Sequence, residues 1–257
     1  MILGLIQART SSSRLPGKVL KPLLGKPMLA RQIERVQRAR RLDGLAVATS
    51  RDQSDDAIAE LCRQLGIGCH RGSLDDVLDR FYGAAQAAAA DHVVRLTGDC
   101  PLIDPSIIDA VIALHLEGGF DYTSNAHPPS FPDGLDVEVM RFACLERAWQ
   151  EAKLPSEREH VTPYLYDRGL FRLGNLSHTS DLSELRWTVD EVEDLIFVEA
   201  IYGALQARTP EFGLAEVLAI LHRRPELNDI NRNFQRDEGY RRSVAADPRP
   251  GATEDRT

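Results

Sequence analysis

The sequence predicts an α/β protein with a mainly parallel sheet, and three observations carry that expectation. Apolar runs of strand length alternate with amphipathic stretches of helical period. Several of the runs end in small or polar residues, as strands do where they feed a loop. The helical stretches are about 10–15 residues long, the size of a βαβ crossover.

The elements follow in chain order. ILGLI (2–6) has the length of a buried strand. A Ser/Pro/Gly loop then leads into a helix from about Met28 to Arg41, with Leu29, Ile33 and Val36 at helical spacing. GLAVATS (44–50) reads as a second strand, 55–65 as a helix carrying Ile58, Leu61 and Leu65, and IGCH as a short strand. An alanine-rich helix over about 74–90 precedes the strand HVVRLT (92–97). GDCPLIDP follows, with Asp104 as the cap before Pro105 of a helix over about 105–116. FDYTS (120–124) extends the pattern, which then changes. Paired prolines, a DG step and the alternating run LDVEVM within 125–140 suit a hairpin or edge strand. Helices are expected over 142–152 and 157–167, strands over 171–176 and 185–189, and a final helix over about 191–206. The economical reading is one domain over 1–242 with a small insertion of hairpin or dimerisation type over about 125–176. The Pro/Gly-rich polar tail, 243–257, is expected to be disordered.

Composition narrows the function class. A chain of 257 residues, 43% hydrophobic, can bury a full core without disulfides or a structural metal. Cys62, Cys69, Cys100 and Cys144 form no CxxC pair, which sets aside a disulfide framework and a thiolate zinc site. No stretch approaches the ~18–20 apolar residues of a membrane span. The apolar opening precedes its basic residues, the reverse of a signal peptide. A cytoplasmic location is therefore expected, with no membrane partner. The net charge of −8 and the 6% aromatic content argue against a nucleic-acid scaffold. That average hides an asymmetry: the first 33 residues hold six bases and no acid, so the other 25 bases face all 39 acids. A basic opening on an acidic protein points to a local anion site, the alternative being a solvated surface cluster.

Three motifs carry chemistry. Arg9-Thr10-Ser11-Ser12-Ser13-Arg14-Leu15-Pro16-Gly17-Lys18 directly follows the first strand, and ligands of open α/β sheets bind at the carboxyl ends of strands. Its hydroxyls and backbone N–H groups can wrap phosphate oxygens, Gly17 permits close approach, and its arginines and lysine offer charge-assisted bonds to a triphosphate. It is neither a Walker A loop nor GxGxxG, since Gly17 stands alone and Val19 follows the lysine. Arg95-Leu96-Thr97-Gly98-Asp99-Cys100-Pro101 puts Asp99 at the end of HVVRLT, on the same rim. A hard ion such as Mg²⁺ takes few carboxylates there, with phosphate and water oxygens completing its shell. In the third motif, RWTVDEVEDL (186–195), Asp190 follows an expected strand and opens a helix. A share in the metal and a helix cap are both open readings for it.

The stretches RTSSSRLPGKVLKPLLGKPML, RLTGDCPLIDP, DGLDVEV, EREHVTPYLY and RWTVDEVEDL together resemble the cytidylyltransferases of the spore coat polysaccharide biosynthesis SpsF type. Those are relatives of the CMP-sialic acid and CMP-KDO synthetases, and the resemblance covers about residues 1–205. It implies a three-layer α/β/α sandwich with a mainly parallel mixed sheet, the GT-A-like and Rossmann-like fold of nucleotide-diphospho-sugar transferases. It implies transfer of CMP from CTP to a sugar-acid or related acidic acceptor in surface polysaccharide biosynthesis. It puts Arg9, Ser11, Ser12, Ser13, Arg14 and Lys18 around the CTP phosphates and Thr49 and Ser50 near the cytosine. Arg71, Arg80, Arg95 and Gly98 fall on the nucleotide side. Asp99 and Asp190 match the Mg²⁺ ligands of the family and, with Arg14 and Lys18, make the expected catalytic set. The motifs that read KDO or sialic acid are not recognisable in this chain. For the acceptor pocket the polar residues to examine are Asn125, His127, Asp136, Glu138, Glu157, His160 and Arg186. Homodimerisation is left open. Two other readings stay in play: a nucleotide-sugar-dependent glycosyltransferase, which would release no pyrophosphate, and a noncatalytic nucleotide-binding protein.

Overall fold

The structure, a computed structural model, describes residues 1–248. β1 (Ile2–Gln7) lies mid-sheet and presents Ile6 to one core and Leu3 and Leu5 to the other, as the two-residue period of a strand buried on both faces requires. A two-stranded ladder, β2 (Pro22–Leu23) with β3 (Lys26–Pro27), stands apart. β4 (Gly44–Ser50), β5 (Gly68–Gly72) and β6 (His92–Thr97) join β1 in parallel. β7 (Tyr122–Ser124), β8 (Glu138–Arg141) and β9 (Leu173–Asn175) complete a seven-stranded sheet in the order β5-β4-β1-β6-β8-β7-β9. β8 runs antiparallel to both of its neighbours.

Helices cover both faces, so the expected three-layer α/β/α arrangement is present. α1 (Met28–Val36), α2 (Asp56–Leu65) and α4 (Pro105–Gly118) bury Ile33, Ile58 and Ile108 against one face, joined by α8 (Val192–Leu205) through Phe197. α3 (Val77–Ala87), α5 (Phe142–Glu151) and α7 (Pro163–Asp167) cover the other face through Phe81, Leu145 and Leu165. Asp104 caps α4 as expected, accepting from Ser106 N at 2.8 Å. Among the described residues no helix is long and apolar enough to cross a membrane.

The differences from the sequence reading have local causes. The helix expected over 157–167 is two, α6 (Pro155–His160) and α7. Val161 takes φ 71°, and Pro163 has no N–H with which to continue the first helix. The stretch 185–189 forms no ladder, because β8 already has a partner on each side. Its backbone bonds to loops instead: Trp187 N donates to Asp133 O at 2.6 Å and Val189 N to Asp99 O at 2.8 Å. Two helices were not expected, α9 (Leu214–Arg223) and α10 (Glu238–Ala246). α10 carries helical order through Ser243 to Ala246, inside the segment expected to be a disordered tail; 249–257 lie outside the described residues.

Candidate active site

At the carboxyl ends of β1 and β6 the chain opens into a cavity of about 670 Å³. The basic loop after β1 folds on itself. Gly17 N donates to Thr10 O at 2.8 Å, and Leu15 and Val19 anchor it in the core. Gly17 takes φ 67°, a conformation in which a side chain would be strained. Asp55, fully buried, ties the loop to the end of β4. It accepts from Thr10 N at 2.7 Å, Thr10 Oγ1 at 2.8 Å and Ser50 Oγ at 2.5 Å. Burial would raise its carboxyl, but these bonds hold it below the usual range. The sequence reading missed Asp55; the only signal was an aspartate pair ahead of a helix, easily taken as capping.

Opposite, Gly98 N donates to Gln7 O at 2.8 Å, and a Cβ at Gly98 would come within 2.7 Å of that oxygen. Gly98 lines the cavity, and its contact with β1 sets Asp99 on the rim. Lys18, 7% exposed, then bridges three oxygens: Asp99 Oδ2 at 2.9 Å, Asp190 Oδ1 at 2.8 Å and Val189 O at 2.8 Å. Burial disfavours its charge, yet the two carboxylates outweigh that and raise its pKa. Burial would likewise lift Asp99, but the Lys18 ammonium holds it down at about 2. Arg14 reaches Asp190 Oδ1 at 2.8 Å. The expected catalytic set of Arg14, Lys18, Asp99 and Asp190 therefore meets at one point.

The rest of the cavity is mixed in charge. Arg95 and Glu138 face one another across β6 and β8 and form an ion pair; Tyr122 OH donates to Glu138 Oε1 at 2.5 Å. Arg95 thus lines the cavity with its charge already met. Asp136 pairs with Arg236, and burial pushes both Asp133 and Asp136 above the usual carboxyl range. His160 bonds Ser243 Oγ at 3.1 Å, and burial lowers its pKa. His127 packs its ring against Tyr166 at 4.1 Å. Arg80 is different: it is 2% exposed, and its Nε and Nη1 have no partner among the described residues. Burial, with Arg9 beside it, lowers its pKa. Arg9, Ser12, Ser13 and Arg186 also line the cavity.

Six expected site residues do not. Ser11 faces solvent on the outer side of the loop. Thr49 and Ser50 are fully buried, Ser50 being spent on Asp55. Arg71 is drawn away by Asp56 at 2.7 Å and Ser50 O at 2.8 Å. Asn125 clamps backbone, donating to Leu135 O and accepting from Val137 N, both at 2.8 Å. Glu157 caps the start of α6 from Lys153 N and Leu154 N, both at 3.1 Å, and pairs with Arg168. Ser50, Arg71, Asn125 and Glu157 have their polar atoms committed to local structure, Thr49 is buried with its hydroxyl unpartnered among the described residues, and Ser11 points away. In their place the C-terminal segment contributes Arg236, Asp237 and Tyr240, which periodicity had not marked.

Among the described residues no three His, Cys, Asp or Glu side chains gather as a metal cluster. Asp99 and Asp190 nevertheless converge on a single cationic point, the Lys18 ammonium. Two hard oxygen donors beside the basic loop fit Mg²⁺, which keeps most of its shell for phosphate and water.

Comparison with known proteins identifies the family. A cytidylyltransferase family model matches residues 3–203, so the chain belongs to the cytidylyltransferase family. The spore coat polysaccharide biosynthesis protein SpsF of Bacillus subtilis is 34% identical over 88% of this chain and 95% of its own. A 3-deoxy-manno-octulosonate cytidylyltransferase of an Anaeromyxobacter strain is 42% identical over 48% of this chain and 50% of its own. The structure of a cytidylyltransferase from Leptospira borgpetersenii superposes with a TM-score of 0.84 and 31% identity, covering 88% of this chain and 95% of that one.

Proposed function

We propose that this member of the cytidylyltransferase family moves CMP from CTP to a sugar-acid or related acidic acceptor, releasing pyrophosphate, in polysaccharide biosynthesis. The convergence of Arg14, Lys18, Asp99 and Asp190 at one end of the cavity is the observation that carries the reading. In the proposed step an acceptor oxygen attacks the α-phosphorus in line; an O–P bond forms, the bond to the β-phosphate oxygen breaks, and pyrophosphate leaves. Asp99 and Asp190 would hold Mg²⁺, which supplies charge neutralisation at the phosphate oxygens. Arg14 and Lys18 exchange their carboxylate partners for phosphate oxygens and offset charge on the leaving group. Arg80, buried without an acid partner among the described residues, offers a further guanidinium to the nucleotide. Ser12, Ser13 and the loop backbone orient the triphosphate, and Asp55 keeps that loop in place. An acceptor whose oxygen already ionises at neutral pH needs no general base.

Thermal unfolding with CTP, UTP, ATP or GTP and Mg²⁺ tests the nucleotide. At a hundred times Kd the preferred one adds about 2.7 kcal/mol. Stabilisation by a purine nucleotide and not by CTP contradicts the reading. Pyrophosphate release with a panel of sugar acids tests the acceptor.

A further inference from the structure

Asp194 is fully buried, does not line the cavity, and collects more hydrogen bonds than a helix cap needs. Its Oδ1 accepts from Arg186 Nε at 2.9 Å and Asn231 Nδ2 at 2.8 Å. Its Oδ2 accepts from Arg186 Nη2 and from the backbone N of Asp190 and of Glu191, all at 2.9 Å. A carboxylate has about four lone-pair directions, so this one is saturated. Arg186 in turn reaches Asp190 Oδ2 with Nη2 at 3.3 Å. Asn231, 3% exposed, also donates to Arg186 O at 3.0 Å, closing a ring of side chains behind Asp190.

That ring stands where a sheet would otherwise do the work. Asp99 leaves β6 directly, and the parallel ladder with β1 sets its backbone. Asp190 leaves a stretch with no ladder, so its backbone N and the outer oxygen of its carboxylate are held by side chains alone. Its inner oxygen, Oδ1, is thereby turned to Lys18 and Arg14. Asn231 lies beyond residues 3–203, the part the family model matches, and brings the C-terminal segment into the arrangement.

We propose that Asp194, Arg186 and Asn231 act together as positioning residues that present Asp190 to the divalent cation bound with the nucleotide. The proposal rests on the reading of Asp190 as a metal ligand. Hydrogen-bond partners behind a ligating side chain commonly change metal affinity 10–100-fold when removed.

The test uses the full chain, with Mn²⁺ as the probe, read by electron paramagnetic resonance in the presence of CTP. Metal-free CTP binding and thermal unfolding are measured on the same samples. Asn231→Leu keeps the number and branching of the side-chain heavy atoms and removes both donated bonds. It is expected to weaken Mn²⁺ binding about tenfold while metal-free CTP affinity stays within about twofold. Asp194→Asn is expected to weaken Mn²⁺ binding more. If that variant does not fold, Asn231→Leu decides alone. A lowered unfolding temperature with unchanged Mn²⁺ affinity makes the ring merely structural and overturns the proposal. Failure of the unaltered protein to bind Mn²⁺ with CTP overturns the metal reading of Asp190 first, and the proposal with it.

Discussion

Lys18 and Asp190 end 2.8 Å apart, but the chain delivers them in different ways. Lys18 comes on one contiguous stretch, Arg9–Lys18, shaped by its own backbone bonds, a left-handed Gly17 and two apolar anchors, with Asp55 pinning its start. Asp190 is held by Arg186 and Asp194, four residues to either side of it in the chain, and these are tied in turn by the distant Asn231, with no strand beneath it. A functional group on a locally determined loop can be read from neighbouring residues. One whose neighbours in the chain are themselves fixed by a distant residue, as Asn231 fixes Arg186 and Asp194, can be recognised but not placed.

The largest expected effect tests whether the two deliveries serve one centre. Asp99→Asn removes the charge that both share. Pyrophosphate release is expected to fall at least about a thousandfold, the upper range for losing one preorganised electrostatic group. Its unfolding temperature should also fall, because the buried Lys18 ammonium loses one of its two carboxylate partners, so turnover is compared at a temperature where both proteins are folded. Retained turnover would separate the loop from the metal chemistry.

The sheet beneath both regions sets the next effect. His115, 1% exposed, bonds Thr123 Oγ1 and His92 Nδ1, both at 3.0 Å. Burial, then the neighbouring His92, lowers its pKa from 6.5 to about 4. Between those values the unfolded chain binds more protons than the folded one, so stability falls as pH falls from 6.5 to 4. The loss is about 3 kcal/mol over that window. Denaturant titrations at several pH values check it, and His115→Asn should flatten the dependence.

Gly98→Ala distinguishes the loop half by packing. The added carbon crowds Gln7 O, costing about 1–3 kcal/mol and several degrees of unfolding temperature. The smallest effect belongs to Glu238→Gln. Glu238 sits 3.6 Å from Arg14 with a third of its side chain exposed, so stability should change by less than about 1 kcal/mol.

Much of the fold was legible because periodicity reports burial. β1, β4, β6 and α4 fall where their apolar runs lie, and Asp104 caps where Pro105 requires it. The stretch 185–189 misled because an apolar alternating run looks like a strand whether or not a sheet edge is free. α10 was hidden because its polar, half-exposed residues carry no core-facing stripe. Around the cavity, Asp99 and the expected residues of the basic loop other than Ser11 fall at the strand ends where the sequence puts them. Ser50, Arg71, Asn125 and Glu157 were not legible, since a polar side chain spends itself on whatever partner is nearest in space, and Thr49 was not because it is buried outright.

The sequence by itself determined the alternation of strands and helices, the acid-free basic opening, and the motifs that mark a cytidylyltransferase. These are local: side-chain period, turn chemistry and charge order survive without knowledge of the fold. Only the tertiary structure decided that Asp55 pins the loop, that Arg95 meets Glu138 while Arg80 meets no acid among the described residues, that Asn231 reaches Asp194 and that α10 lines the cavity. Those outcomes depend on which distant groups arrive within hydrogen-bond reach, and that distance is set by packing rather than by order along the chain.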